Sequence, residues 1–155
     1  MKRSTKLAGV LAAAAVAPSI LAGNAGADEG AVYFSAGSAN CAIFGDGSVG
    51  CDLGSPLRLN YTVGTTYLPL SIPISEIVID QPWLPAHPTF AGGTSYTLAA
   101  GNPSIYDLKT GQDMWGPVIE HAGSSCRIGF HGSFTCNAKG RGFSAYGGII
   151  SAAIP

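Results

Sequence analysis

The chain has 155 residues, 46% of them hydrophobic and only 11% charged, with a formal net charge of −1. It carries no basic cluster. That argues against nucleic-acid binding, which needs grouped Lys and Arg to neutralise phosphates, and against a polybasic membrane patch. The first predicted element is a secretory signal over residues 1–27. Lys2, Arg3 and Lys6 open it, Leu7 to Ala17 is apolar, Pro18 breaks the run, and Ala25-Gly26-Ala27 supplies small residues for cleavage before Asp28. A membrane anchor would need about 20 apolar residues, more than this stretch offers. A lipoprotein signal ends at a cysteine, yet the first here is Cys41, and no Arg-Arg pair suggests export of a folded chain.

Cleavage would leave one secreted domain, residues 28–155. Its basic side chains are Arg58, Lys109, Arg127, Lys139 and Arg141, against nine acidic ones, a net charge of −4. A domain of this size forms a core of its own but gains from covalent staples. Gly, Pro, Ser and Thr are abundant, which favours strands and turns over helices.

Ala31 to Phe34 reads as an opening strand. The four cysteines follow in two matching segments. Cys41 to Asp52 and Cys126 to Asn137 both fit Cys-x-Ile-x-x-x-Gly-Ser-apolar-x-Cys-Asx. An even count in an exported chain suggests disulfides. Neither pair has the close spacing of a zinc site, and a redox Cys-x-x-Cys is missing. Each segment reads as a hairpin with a three-residue loop whose last position needs positive φ, where Gly47 and Gly132 stand. Counting outward, Phe44 faces Ser48, Ile43 faces Val49 and Cys41 faces Cys51. If the loop-closing pair is hydrogen-bonded, the cysteines fall on a non-hydrogen-bonded pair, with Cα atoms about 4.5 Å apart, within reach of a disulfide. The same count joins Cys126 to Cys136. The alternative is long-range bridging between two unrelated Gly-rich turns.

Further along, Leu57, Leu59, Tyr61 and Val63 alternate with polar or charged residues, as on a half-buried strand. Leu68, Leu70, Ile72 and Ile74 alternate too, but Pro69 and Pro73 lie between them and restrict the segment to an edge strand or extended loop. Ile77 to Ile79 continues the apolar run. Gln81 to Pro88 holds three prolines and forms a stiff, irregular connection. Tyr96 to Leu98, Met114 to Ile119 and Phe143 to Ile150 are further strand candidates. Gly140-Arg141-Gly142 reads as the turn before the last strand, with Phe143 buried. No window keeps a helical period for three turns. The expected class is all-β, a small sandwich or barrel with two disulfide-stapled β-hairpins.

At the cysteine segments the sequence resembles a family of uncharacterised exported domains from actinobacteria. Phe34, Gly37, Asn40 and Cys41 fit the family's opening, and Val49, Cys51, Asp52 and Leu53 its Val-x-Cys-Asp-aliphatic step. Cys126, Cys136, Gly140, Arg141, Gly142 and Phe143 stand where family members carry a cysteine hairpin followed by Gly-His-Gly-Phe. Arg141 replaces the His, and a middle cysteine pair common in such domains is absent. The match covers about the first and last 25 residues of the mature chain and leaves Pro56 to Gly123 unmatched. The resemblance implies export and two bridges, and it carries no activity.

Catalysis would have to use His87, His121 or His131. There is no Gly-x-Ser-x-Gly elbow, His-Glu-x-x-His or P-loop. Glu120-His121 offers half of an acid–base pair, and His131 sits at a hairpin tip, in the turn slot that Asp46 fills in the other hairpin. No spacing points to a metal or a cofactor, and none is expected. For binding, the candidates are Trp83, Leu84, His87 and Phe90, on a loop stiffened by Pro82, Pro85 and Pro88. Aromatic anchors on a rigid loop lose little entropy on binding. The competing reading folds Trp83 inward as a cap on the core. Trp115 and the tyrosines are expected in the core. The chain therefore reads as a secreted, non-catalytic binding module of the extracellular space or cell envelope, with an unknown protein or envelope component as partner. The alternatives are a small extracellular hydrolase using His121 or His131, and a secreted protease inhibitor.

Overall fold

The computed structural model describes residues 30–89 and 95–155. The signal segment, the cleavage point at Asp28 and Phe90 lie outside the described residues. In chain order the strands are β1 (Val32–Ala36), β2 (Ala39–Ile43), β3 (Val49–Val63), β4 (Thr66–Ile79), β5 (Gly111–Gln112), β6 (Pro117–His121), β7 (Ser124–Ile128), β8 (Phe134–Ala138), β9 (Arg141–Tyr146) and β10 (Ile149–Ile154). A one-turn helix, α1 (Ile105–Leu108), stands before β5. The strands form one curled half-barrel sheet in the order β1-β2-β3-β10-β9-β8-β7-β6-β5, with β4 on the other side of β3. The all-β class holds, and of the two expected architectures the molecule takes the barrel-like one.

The two cysteine hairpins have the expected register. Cys41 lies opposite Cys51 and Cys126 opposite Cys136, each pair is bonded, and the Cα atoms are 4.0 and 4.1 Å apart. In the first loop Phe44 N donates to Ser48 O at 2.9 Å, and Gly47 takes φ +79°. Asp46 accepts from the Ser48 hydroxyl at 2.6 Å and the Ser48 amide at 2.9 Å, with Lys139 at 3.0 Å on its other oxygen. The Ser48 hydrogen bonds, helped by Lys139, hold its carboxyl down to about 2. The second loop differs. Its tip winds into a 3-10 turn, and both His131 (φ +54°) and Gly132 (φ +77°) are left-handed.

Gly132 has open space where a Cβ would stand, so a substitution there meets only backbone strain. Gly132→Val is expected to cost about 1–3 kcal/mol, because β-branched residues rarely tolerate positive φ. Gly132→Asn should cost less, since Asn visits that region. Thermal melts of both variants check it, and equal losses would point away from φ.

β3 organises the sheet. Asp52 pairs with Glu76 and Leu57 with Ile74, so residues 53–56 bulge against the single Ser75. Gly54 and Pro56 sit in this bulge, where a bend is needed and a ladder donor is not. The bend lets one edge of β3 pair first with β2 and then, in parallel, with β10, from Arg58↔Ile149 to Val63↔Ile154. β4, carrying Pro69 and Pro73, is an edge strand as expected.

The inner face holds the core: Phe34, Ile43, Leu59, Ile77, Ile119, Phe143 and Ile150, together with both disulfides. α1 touches β1 and β6 and drives the fully buried Ile105 into that core. Its N-cap is Ser104, whose hydroxyl accepts from Tyr106 N. The chain before it adds to the β1 edge, with Ser35 N donating to Pro103 O at 2.7 Å. Elsewhere the first hairpin tip meets the β6–β7 turn, where the buried Ser124 hydroxyl donates to Gly47 O at 2.5 Å.

Several element expectations are corrected. Tyr96 to Leu98 is not a strand, because its backbone donors go to side chains instead of a ladder. Met114 to Gly116 is a turn held by Asp113, and β6 begins only at Pro117. Phe143 to Ile150 is split by Gly147 and Gly148, both at positive φ, into β9 and β10. Arg141 already belongs to β9, which is the last strand but one. Trp115, Tyr67, Tyr106 and Tyr146 are exposed, not core.

Candidate functional site

The proline-rich connection after β4 is a tethered crest. At its start Arg141 Nε donates to Pro82 O at 2.8 Å. At its far side Ala86 is fully buried and its carbonyl accepts from the Tyr61 hydroxyl at 3.0 Å. His87 then adds to the free edge of β4, exchanging backbone hydrogen bonds with Val78 at 2.8 and 3.0 Å. Between these anchors Trp83 stands 66% exposed and Leu84 half-buried. The inward cap is not what this geometry gives. Of the expected binding residues, the crest brings Trp83 and Leu84 together. His87 sits at its base, with Nε2 3.1 Å from an Asp80 oxygen and Nδ1 3.0 Å from Pro88 O. Its ring is a strut, with both nitrogens engaged.

Among the described residues the other histidines do not converge on an acid. Glu120 and His121 are neighbours on β6, so their side chains leave opposite faces of the sheet. His121 Nε2 instead meets Gly30 O at 2.6 Å. The His131 ring packs on Phe130, centroids 3.8 Å apart. Among the described residues no three His, Cys, Asp or Glu side chains cluster as a cation cage, and no helix is long and apolar enough to cross a membrane.

Two features escape sequence reasoning. The first is a polar clasp on the outer face of β2, β3 and β4. Tyr96 is buried there beside Ala42, Val78 and the ring of Phe44. Its hydroxyl donates to Glu76 at 3.3 Å and its amide to Asp52 at 3.1 Å. Thr97 donates to the same Asp52 oxygen, and Thr89 to Glu76. The Asn102 amide group reaches Phe34 O, Cys41 O and Tyr96 O. Burial, reinforced by the carboxylates of Glu76, Asp52 and Asp80, pushes the Tyr96 hydroxyl above its usual value.

A raised tyrosine stabilises the fold fully below the unfolded value of about 10 and loses that contribution as pH climbs toward the folded value. Melting temperature is therefore expected to hold up to about pH 10 and fall above it. Tyr96→Phe should flatten that fall, with Tyr61, also raised by burial, leaving a remainder. Melts across the alkaline range check this, and an unchanged slope in Tyr96→Phe would remove Tyr96 as the cause.

The second is an exposed aromatic corner on adjacent turns. Trp115 lies in the β5–β6 turn and Phe130 in the β7–β8 turn, with ring centroids 4.7 Å apart and planes at 69°. Met114, Asp113, Arg127 and Ser133 complete an open depression of about 470 Å³. These turns lie at the end of the β5–β9 meander away from the β8–β9 turn that Arg141 adjoins. The only sequence signal was a Trp beside Gly116, easily read as core. No family model, curated protein or solved structure matches the chain.

Proposed function

We propose that the protein is a secreted, non-catalytic binding module of the extracellular space or cell envelope, and that the Trp83–Leu84 crest contacts its partner, a protein or envelope component. The observation that carries this reading is a two-thirds exposed Trp on a loop tethered at Pro82, Ala86 and His87. Solvent exposure of an indole costs the free protein hydrophobic stabilisation, and a loop already ordered adds little entropy cost on binding. Tryptophan is among the residues that most often dominate an interface. The signal-like N-terminus and the resemblance to exported domains support secretion. The two disulfides are compatible with an oxidising, extracellular location.

Capture of partners from the protein's own culture medium and envelope, compared with Trp83→Ala, tests the reading. Trp83→Ala is expected to weaken binding by about 2 kcal/mol or more, roughly 30-fold, and to leave the melting temperature nearly unchanged. A loss of about 3–5 kcal/mol of stability with unchanged affinity would make Trp83 a cap instead. Turnover of a substrate by the purified protein would overturn the non-catalytic reading.

A further inference from the structure

We propose that the Trp115–Phe130 corner is a second, separate binding site and that it takes a pyranose ring of an extracellular polysaccharide. The corner is apolar on two sides and polar at its rim. Trp115 is 53% exposed, Phe130 55% and Met114 82%, an unusual concentration of uncovered apolar side chains on two neighbouring turns. Beside them stand an acceptor and a donor. One Asp113 oxygen is taken by the Trp115 and Gly116 amides, at 2.8 and 3.0 Å. The other faces Arg127 Nη1 at 3.8 Å, beyond a hydrogen bond, so both groups keep capacity for a ligand. A sugar ring presents this same combination, with an apolar C–H face and a rim of hydroxyls that both donate and accept. The C–H face would stack on an aromatic wall, and vicinal hydroxyls would bridge the carboxylate and the guanidinium fork.

The corner is also built to hold its shape. Asp113 closes its turn twice, by those two bonds and by its own amide donating to Gly116 O at 3.0 Å. Gly116 sits tight on β7, where a Cβ would come 2.9 Å from Ile128 O. The Cys126–Cys136 bridge staples β7, which carries Arg127, to β8, and Phe130 lies in the turn that joins them. A depression of about 470 Å³ falls within the range of small-ligand sites. Three exposed apolar side chains fall short of the roughly 800 Å² per partner of a stable protein interface, which disfavours a second copy of the chain as occupant.

The test is affinity electrophoresis of the mature protein through gels containing mannan, glycol chitin or dextran, all built of pyranose rings, with an unrelated protein as control. At least one polymer is expected to retard it, and Trp115→Ala and Phe130→Ala should each weaken retention at least ten-fold. Arg127→Ala should weaken it while leaving both rings in place. Trp83→Ala should not change it, so this proposal and the crest proposal fail separately. In Trp83→Phe, whose only tryptophan is Trp115, the fluorescence should shift on adding oligosaccharides of the retarding polymer. Near-ultraviolet dichroism confirms that each variant is folded. No retardation by any polymer, retention unaffected by Trp115→Ala, or loss tracking Trp83→Ala instead would overturn the proposal. So would a dimer in sedimentation that Trp115→Ala dissolves.

Discussion

Replacing Cys126 and Cys136 together by alanine is expected to lower stability by about 3 kcal/mol or somewhat more, and replacing Cys41 and Cys51 by the same amount. Each bridge spans a sequence separation of 10, so the chain-entropy effect is the same for both. Both bridges have a further role, because all four cysteines are fully buried in the core, and alanine leaves a void there. The two effects together approach the whole stability of an ordinary domain, about 5–15 kcal/mol. The variant lacking all four sulfurs, and the native protein under strong reductant, should therefore be largely unfolded at 37 °C. Urea titrations of the three variants measure this, and peptide mapping without reduction should recover Cys41–Cys51 and Cys126–Cys136. A loss below about 1 kcal/mol per bridge would mean that the hairpins hold without their staples.

These hairpins were legible because everything that fixes them is local. A glycine at the loop's last position, an apolar pair just beyond the loop-closing pair and cysteines two residues further out determine register without reference to the rest of the chain. The edge character of β4 was legible for the same reason, since a proline's missing donor is a property of its own residue. What could not be read was decided at a distance. β10 lies parallel to β3 because the Gly54–Pro56 bulge redirects β3, and residues 149–154 carry no mark of that partner. Trp115 read as core within a Met114 to Ile119 strand, yet Asp113 turns the chain before β6 and leaves the indole outside. α1 is a single turn, too short to show a period, though Ile105 is as buried as any residue of the sheet. Of the candidate site, the stiffness of the crest was readable from its prolines. Its anchoring by Arg141 and Tyr61 was not, since those residues are far from it in sequence.

Tyr96 gives the sharpest example of such long-range dependence, and it makes Gly50 the position where the smallest substitution should have a large effect. Gly50 lies in β3 between Ala42 of β2 and Val78 of β4, on the outer face. The Tyr96 ring occupies the space in which a Cβ at residue 50 would stand. Gly50→Ala must therefore lift the ring, and with it the bonds from Tyr96 to Glu76 and Asp52 and the seat of Asn102 over Phe34 O and Cys41 O. Overpacking costs about 1–3 kcal/mol, and each polar group left without its partner adds about 1 kcal/mol. The expected loss is about 3 kcal/mol for one methyl group. The inner core on the opposite face is untouched, so the variant should still fold. Tyr96→Ala alone should also destabilise, by about 3–5 kcal/mol, as for a buried aromatic. The two should not add. With the ring gone, a methyl at residue 50 meets no obstacle and reduces the freedom of the unfolded chain, so Gly50→Ala in the Tyr96→Ala background should be neutral or stabilising by about 0.5 kcal/mol. Urea titrations of the four proteins in this double-mutant cycle measure the coupling directly. Additive losses would mean that the ring does not rest on Gly50, and that the clasp is held by its carboxylates alone.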